Sequence, residues 1–308
     1  MVTEDKPMKW TRREFIATSA VSLAAMRFAG KEESRLPLAF STLACPKWEL
    51  SKILEVAQSN GFAAVELRGL MGELFLPSRP EFAPQQLPQT KQQIAARGLK
   101  IACVSSSTEL HETDPAKREK ALADAKRFVD LAASLDAPYV RVFGNEMNGP
   151  KEEVIARVAD GMHVLGEYAG PRKVTIIIES HGDFVHSDTL KELLTRADSK
   201  HVGLLWDAHH TFADGHETPE ETVNALGPWI KHTHLKDSVP GDKGRTYVLT
   251  GKGNVPIERQ MQALRHINYT GFYCFEWEKV WHPDLQDPEI AVPDFARVAS
   301  AYLKEPLK

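Results

Sequence analysis

The run VTIIIES, Val174 to Ser180, decides the architecture: three consecutive isoleucines lead without alternation into a single acid, Glu179. A strand that is apolar on both faces must be covered on both, the condition of parallel strands in α/β proteins. Towards the C-terminus the same kind of run recurs at VGLLWDA (202–208), IKHTHLK (230–236) and FYCFEWE (272–278). Towards the N-terminus it recurs at PYVRVFG (138–144), KIACVSS (100–106), AAVELRG (63–69) and LAFSTLA (38–44), which makes eight. Stretches with helical spacing fill the intervals at 50–58, 85–97, 116–135, 151–168, 188–197, 218–226 and 256–266, and a last one over 294–303 closes the chain. Gly61, Gly98 and Gly271 stand just before strands, where helices commonly end. Eight strand–helix units predict a single-domain α/β fold, the (β/α)8 TIM barrel, whose usual length is about 250 residues. An open doubly wound sheet is the alternative, but no G-x-G-x-x-G follows the first strand.

The 308 residues are 42% hydrophobic and 26% charged, with a formal net charge of −4. That composition excludes a disordered chain and, with no basic tract, a nucleic-acid binder held by phosphate contacts. Cys45, Cys103 and Cys274 each lie in an apolar run and read as buried thiols. Residues 1–35 are of another kind: Arg12 and Arg13 precede Phe15, Ile16 and an Ala/Ser-rich apolar run from Ala17 to Met26. This is the twin-arginine export pattern. The expectation is an export signal and short linker over 1–35, a barrel over 36–308, and a periplasmic location. The run falls short of the ~20 apolar residues of a spanning helix and no lipobox cysteine follows, so no stable membrane anchor is expected.

In a TIM barrel the active site lies at the C-terminal ends of the strands, so the polar residue closing each run matters first. The fifth strand ends in Glu179, the sixth in Asp207, the seventh in His234 and the eighth in Glu276. Gathering three carboxylates at one rim is unfavourable unless a cation or a proton compensates, and one divalent metal ion is the economical explanation. Oxygen ligands with one nitrogen suit Mn²⁺, Mg²⁺ or Co²⁺, and Zn²⁺ is compatible. Any one of these residues alone reads as a helix cap or solvated loop charge; four successive strand ends favour a site.

On these residues the chain resembles the xylose-isomerase-like TIM barrel superfamily, in particular its sugar phosphate isomerase/epimerase group, which includes ketose 3-epimerases and inosose dehydratases. The resemblance runs from Leu38 to the C-terminus. It rests on Glu179 in IIIESHGDF, Asp207 and His210 in WDAHH, His234 in HTHLKD, Glu276 in FEWE, and GKGNVP from Gly251 to Pro256. It implies that Glu179, Asp207, His234 and Glu276 bind one divalent ion, with Glu179 and Glu276 also the catalytic acid/base pair. Departures are equally informative. The apurinic endonuclease branch has extra histidines after strands 2 and 3 and a D-x-H after strand 7. Here those places hold Glu66, Leu67 and Arg68, then Ser105 to Ser107, and no D-x-H follows His234, so DNA repair is not implied. Where the epimerases carry a substrate-contacting Glu six residues after the strand 5 ligand, this chain has Val185, so sugar recognition differs.

The substrate-binding candidates lie around that set. His181 follows Glu179 by two residues, and His210 matches a substrate histidine of the family. Lys236 would meet a substrate oxyanion or form an ion pair, and Arg245 is a candidate for the family's substrate arginine. Glu66 and Arg68 would bind substrate or each other. One of Trp277, Trp281 and His282 would stack on a sugar face, with Trp277 the named candidate. His232 shares the face of His234 and reads as barrel core.

The expected function is a metal-dependent isomerase or epimerase acting on a sugar or keto-sugar, by proton abstraction next to a carbonyl through an enediolate. Export disfavours a phosphorylated intracellular sugar and favours a free or oxidised glycoside. The alternative is therefore a metal-dependent lyase that β-eliminates the aglycone of a 3-keto-glycoside. A non-catalytic carbohydrate-binding barrel is a third reading, against which the retention of both glutamates speaks. The partner expected is a small-molecule sugar or keto-glycoside; a homo-oligomer is left open.

Overall fold

The computed structural model describes residues 35–242 and 244–307, and the twin-arginine pattern lies outside them. Its strands are β1 (Leu38–Ser41), β2 (Ala64–Leu67), β3 (Lys100–Glu109), β4 (Tyr139–Asn145), β5 (Thr175–Gly182), β6 (Val202–Asp207) and β7 (Ile230–Leu235). A hairpin of β8 (Asp237–Gly241) and β9 (Gly244–Val248) follows, and then β10 (Tyr273–Phe275). Among the described residues, β1 to β7 and β10 close into a parallel barrel in the order β1-β10-β7-β6-β5-β4-β3-β2. The fold is a TIM barrel, and each of the eight sequence runs begins within one residue of its strand.

β5 accounts for its own unbroken apolar run. Ile177 packs with Cys103 and Leu205 towards the barrel axis, while Ile176 and Ile178 join the large cluster shared with the surrounding helices. A strand buried on both faces has no polar side, so the alternation disappears. A further interior cluster consists of Ala39, Ala64, Ala102 and Cys274. Because interiors are close-packed, these small side chains leave volume for the longer polar ones around them.

Two helices start at caps that the sequence chemistry supplies. Asp114 accepts a hydrogen bond from Lys117 N at 2.9 Å ahead of Pro115–Ser134, and Thr218 and Glu221 form a reciprocal capping box ahead of Pro219–Leu226. Each cap contributes about 1 kcal/mol, and proline at the first helical position sacrifices no hydrogen bond.

The structure departs from the sequence reading in three places. The last helix spans Pro288–Lys304 rather than starting at Asp294. Pro293 cannot donate to the Glu289 carbonyl, but Val292 and Phe295 on either side are fully buried, and that burial carries the helix through. Two elements had not been expected: the short helix Ala208–Ala213 directly after β6, and the antiparallel pair β8–β9. Both sit at the C-terminal rim. No helix among the described residues is long and apolar enough to cross a membrane.

Candidate metal centre and active site

The four strand-end residues converge. His234 Nδ1 lies 3.7 Å from Glu179 Oε1, 3.8 Å from Asp207 Oδ2 and 3.2 Å from Glu276 Oε1. One donor atom from each residue lies within 4.8 Å of all the others, and none of the four residues is more than 4% exposed. Ligands about 2.0–2.2 Å from a common ion are roughly 3–3.6 Å from one another, so the grouping has the right scale.

Each donor is oriented by a partner from another element. Asp207 turns Oδ1 to the backbone N–H groups of His209 and His210, capping the short helix, which leaves Oδ2 facing the centre. Glu276 gives Oε2 to Lys236 Nζ at 2.5 Å and keeps Oε1 towards His234. Glu179 Oε2 lies 3.1 Å from Arg141 Nε, and the Arg141 guanidinium rests over the Phe143 ring at 3.8 Å. His234 donates from Nε2 to Glu66 Oε2 at 2.9 Å, and His232 Nε2 meets the same oxygen at 2.8 Å. A carboxylate only accepts, so Glu66 keeps a proton on His234 Nε2 and reserves Nδ1 as the ligand atom.

Charge accounting points the same way. Five carboxylates, Glu66, Glu179, Asp207, Glu276 and Glu278, meet three permanent cations, Arg68, Arg141 and Lys236, which leaves two negative charges. The same excess of carboxylates acts on the neighbouring imidazoles. Burial disfavours charge on His234, but Glu276, Glu66 and Glu179 outweigh it and raise the imidazole well above its ordinary range. At His210 burial is likewise outweighed, chiefly by Asp207, and the direction is up. A divalent ion carries the same two charges. His234 Nδ1, the donor nitrogen at the centre of the grouping, is buried without a hydrogen-bond partner, so these residues fit such an ion. The neighbouring grouping of Glu66, His232, His234 and Cys274 is a poorer cage: its imidazoles already spend Nε2 on Glu66, and burial holds the Cys274 thiol well above its usual range, hence protonated.

The other candidates divide. His181 and His210 stand at the mouth with ring centroids 5.0 Å apart; His210 Nε2 is 3.6 Å from Asp207 Oδ2 and 3.4 Å from Lys236 Nζ. Arg68 is buried beside Glu179, Glu276 and Glu66 with Nη1 unpartnered; burial and Arg141 bring its guanidinium down to about 10. It makes no hydrogen bond or ion pair with Glu66 among the described residues. Lys236 is ion-paired rather than free for an oxyanion, with Asp207, Glu276 and Glu278 at 2.6, 2.5 and 2.8 Å. Arg245, on β9, is bonded to Ser238 and Asn254. Glu66 is a correction: it is fully buried and committed to two imidazoles, so it supports a ligand instead of touching substrate. Trp277 is another. It is 1% exposed, stacks on Phe275 and donates its indole N–H to Gln286 O, so it has no face for a sugar; Trp281, 50% exposed, does.

Arg141 and Glu278 escaped the sequence reading although a signal existed for the first. In PYVRVFG the arginine interrupts an apolar strand at the inward-facing parity, and a buried cation requires a buried acid. Glu278 lies past the end of β10, where strand parity no longer predicts direction.

A TIM barrel with an imidazole and three carboxylates gathered at its C-terminal rim carries a donor set that could hold a divalent ion. Residues 54–298 match the xylose isomerase-like TIM barrel family, and the chain belongs to it. An inosose dehydratase from Bacillus anthracis (strain CDC 684 / NRRL 3495) is 28% identical over 172 residues, 50% of this chain and 55% of the relative. The chain thus spans about half the length of the curated relatives it matches. Among solved structures, the IOLI protein with a binding zinc atom superposes with a TM-score of 0.73 at 20% identity, covering 88% of this chain and 100% of that one. The 3-keto-D-glucoside 4-epimerase YcjR from E. coli gives 0.68 at 14%, covering 88% and 100%.

Proposed function

We propose that this protein is a divalent-metal-dependent isomerase or epimerase that removes the proton α to the carbonyl of a keto-sugar. The observation that carries this reading is the pair Glu179 and Glu276: two buried carboxylates from different strands that reach one donor nitrogen, each beside its own cation. A divalent ion held by Glu179, Asp207, His234 and Glu276 supplies Lewis-acid polarisation of a carbonyl and its neighbouring hydroxyl.

The chain's residues do the rest. Burial pushes the Glu179 carboxyl up, but Arg141 and His234 outweigh it and bring it down to about 2. Glu276 is held low against burial by His234 and Lys236. Both are therefore ionised near neutrality and able to accept a proton. The C–H pair moves into an enediolate; the same carboxylate's return of the proton to the adjacent carbon gives an isomer, whereas an epimer requires the other glutamate, protonated from water, to deliver that proton to the opposite face while the first passes its own to water. The 3-keto-D-glucoside epimerase among the similar barrels supports an oxidised glycoside as substrate, as does the twin-arginine pattern, which argues for an extracytoplasmic enzyme.

One observation favours a second reading, a lyase that expels the β-substituent of a 3-keto-glycoside. His210 places a ring nitrogen 3.6 Å from Asp207 Oδ2, where a departing oxygen needs a proton, and relatives named inosose dehydratase carry out an elimination. The test is incubation of 3-keto-glucosides with the zinc- or manganese-loaded protein in deuterated water, followed by NMR. Deuterium at the α-carbon of a recovered epimer or isomer supports the first reading; an unsaturated sugar with free aglycone supports the second. Absence of both exchange and elimination across the substrate set would refute proton abstraction.

A further inference from the structure

The ends of β3, β4 and β5 carry a hydrogen-bond relay that the reading above leaves unused. His181 Nδ1 lies 2.8 Å from Asn145 Oδ1, and Asn145 Nδ2 donates to Glu109 Oε1 at 2.6 Å. A carboxylate offers only acceptors, so the Asn145 amide must present its NH₂ to Glu109 and its oxygen to His181. That oxygen requires a proton on Nδ1, which in the neutral ring leaves the lone pair on Nε2.

The backbone makes this arrangement rigid. Asn145 pairs with Gly182 across β4 and β5, both with positive φ (66° and 61°), and Asp183 N donates to Asn145 O at 2.8 Å. A Cβ at residue 182 would fall 2.3 Å from that carbonyl, so the close approach needs glycine. The imidazole is flanked by Phe143 at 4.9 Å and by His210 at 5.0 Å, and His210 in turn reaches Asp207 and Lys236. Nε2 of His181 makes no hydrogen bond among the described residues.

We infer that Glu109 and Asn145 are positioning residues that fix His181 as a hydrogen-bond acceptor, so that the site selects a substrate carrying a hydroxyl, a donor, against His181 Nε2. The substrate part rests on the keto-sugar reading of the same site; the relay itself does not. A histidine free to take either tautomer would receive a hydroxyl, a carbonyl or an ether oxygen alike. This one discriminates, because a carbonyl or ether brings a second acceptor against Nε2.

The test is ¹⁵N NMR of the histidine-labelled protein, metal-free and zinc-loaded, with the His181 signals assigned through His181→Gln. The expected result is a protonated Nδ1 and an unprotonated Nε2. Asn145→Gly deletes the relay and keeps the positive φ without strain; it and Glu109→Ala should both abolish this one-sided tautomer. The double variant Glu109→Gln with Asn145→Asp should restore it, because the new amide donates to the new carboxylate, which still accepts from Nδ1. With a turned-over keto-sugar, Asn145→Gly should raise KM about tenfold, the loss of one hydrogen bond, and one monodeoxy analogue should lose its penalty relative to the parent sugar. A wild-type His181 protonated on Nε2 would overturn the inference whatever the substrate, as would failure of the double variant to restore the tautomer in a folded protein. The expected tautomer in a protein that turns over no keto-sugar would support the relay and defeat the keto-sugar reading.

Discussion

Glu66→Gln isolates what the barrel interior does for the rim. Glu66 is fully buried, its Oε2 accepts from His232 and His234 at 2.8 and 2.9 Å, and its Oε1 has no hydrogen-bond partner. Glutamine has the same shape and two ways to sit. With its oxygen in place of Oε2, both imidazoles keep an acceptor, but the bonds lose their charge assistance, about half their strength. The new NH₂ then lies where no acceptor exists, a cost of about 1–3 kcal/mol. Turned the other way, the NH₂ faces both Nε2 atoms and drives the His234 proton onto Nδ1, the ligand atom. In either pose His234 becomes a poorer ligand, and loss of such an outer partner lowers metal affinity about 10–100-fold, or about 1.4–2.7 kcal/mol. Competition titration of Zn²⁺ or Mn²⁺ against a chromogenic chelator should show that weakening, with far-UV circular dichroism confirming an intact barrel. A folded Glu66→Gln protein with unchanged affinity would refute the reasoning.

Arg141→Met should destabilise the metal-free protein by about 3 kcal/mol in urea, because the buried Glu179 carboxylate loses its nearest cation; equal midpoints would show that the guanidinium does not hold it. Burial, then Lys236 and His210, hold the His209 imidazole down to about 2, whereas the unfolded chain titrates near 6.5. Between these values the unfolded state binds the extra proton, so stability falls as pH drops below about 6.5, by about 1.4 kcal/mol per unit from this group. His209→Gln should remove about one proton from the pH dependence of urea unfolding between about pH 6 and pH 5, and identical slopes for the two proteins would contradict this. Changing Arg12 and Arg13 together to lysine should retain the protein in the cytoplasm; fractionation that finds the unmodified protein only there would count against export.

The barrel was legible because its strands announce themselves: Ile176 to Ile178 have no polar side to show, and Glu179, Asp207, His234 and Glu276 each mark where a run leaves the core. The site was legible only along single strands. Glu66 read as a rim residue because it ends AAVE, yet it bonds to His232 and His234, residues more than 160 positions away, and nothing local carries that pairing. Trp277 read as a sugar platform from its nearness to Glu276, but its ring stacks on Phe275 in the core and its indole N–H is held by Gln286 O, contacts that nothing local in the sequence marks. Asn145 and Glu109 gave no signal, since a polar residue after a strand is ordinary and only the register of three strands aligns them with His181.

Taken together, these partners explain how the rim keeps its shape at a cost in charge. Arg141 holds Glu179, Lys236 holds Glu276 and one oxygen of Asp207, the helix start holds the other, and Glu66 holds His234. The donors are thus aimed by groups that do not depend on an ion, which spares the reorganisation that a flexible site undergoes on binding. The same preorganisation forbids the carboxylates from moving apart, so the two unbalanced negative charges must be met on the spot. The same carboxylates push His234 and His210 towards the protonated form, and a divalent ion at His234 Nδ1 would compete with a proton for that nitrogen. Metal affinity should therefore rise with pH, and competition titrations at several pH values should show a slope that counts the protons released on binding; a flat profile would show that no ligand proton competes with the ion.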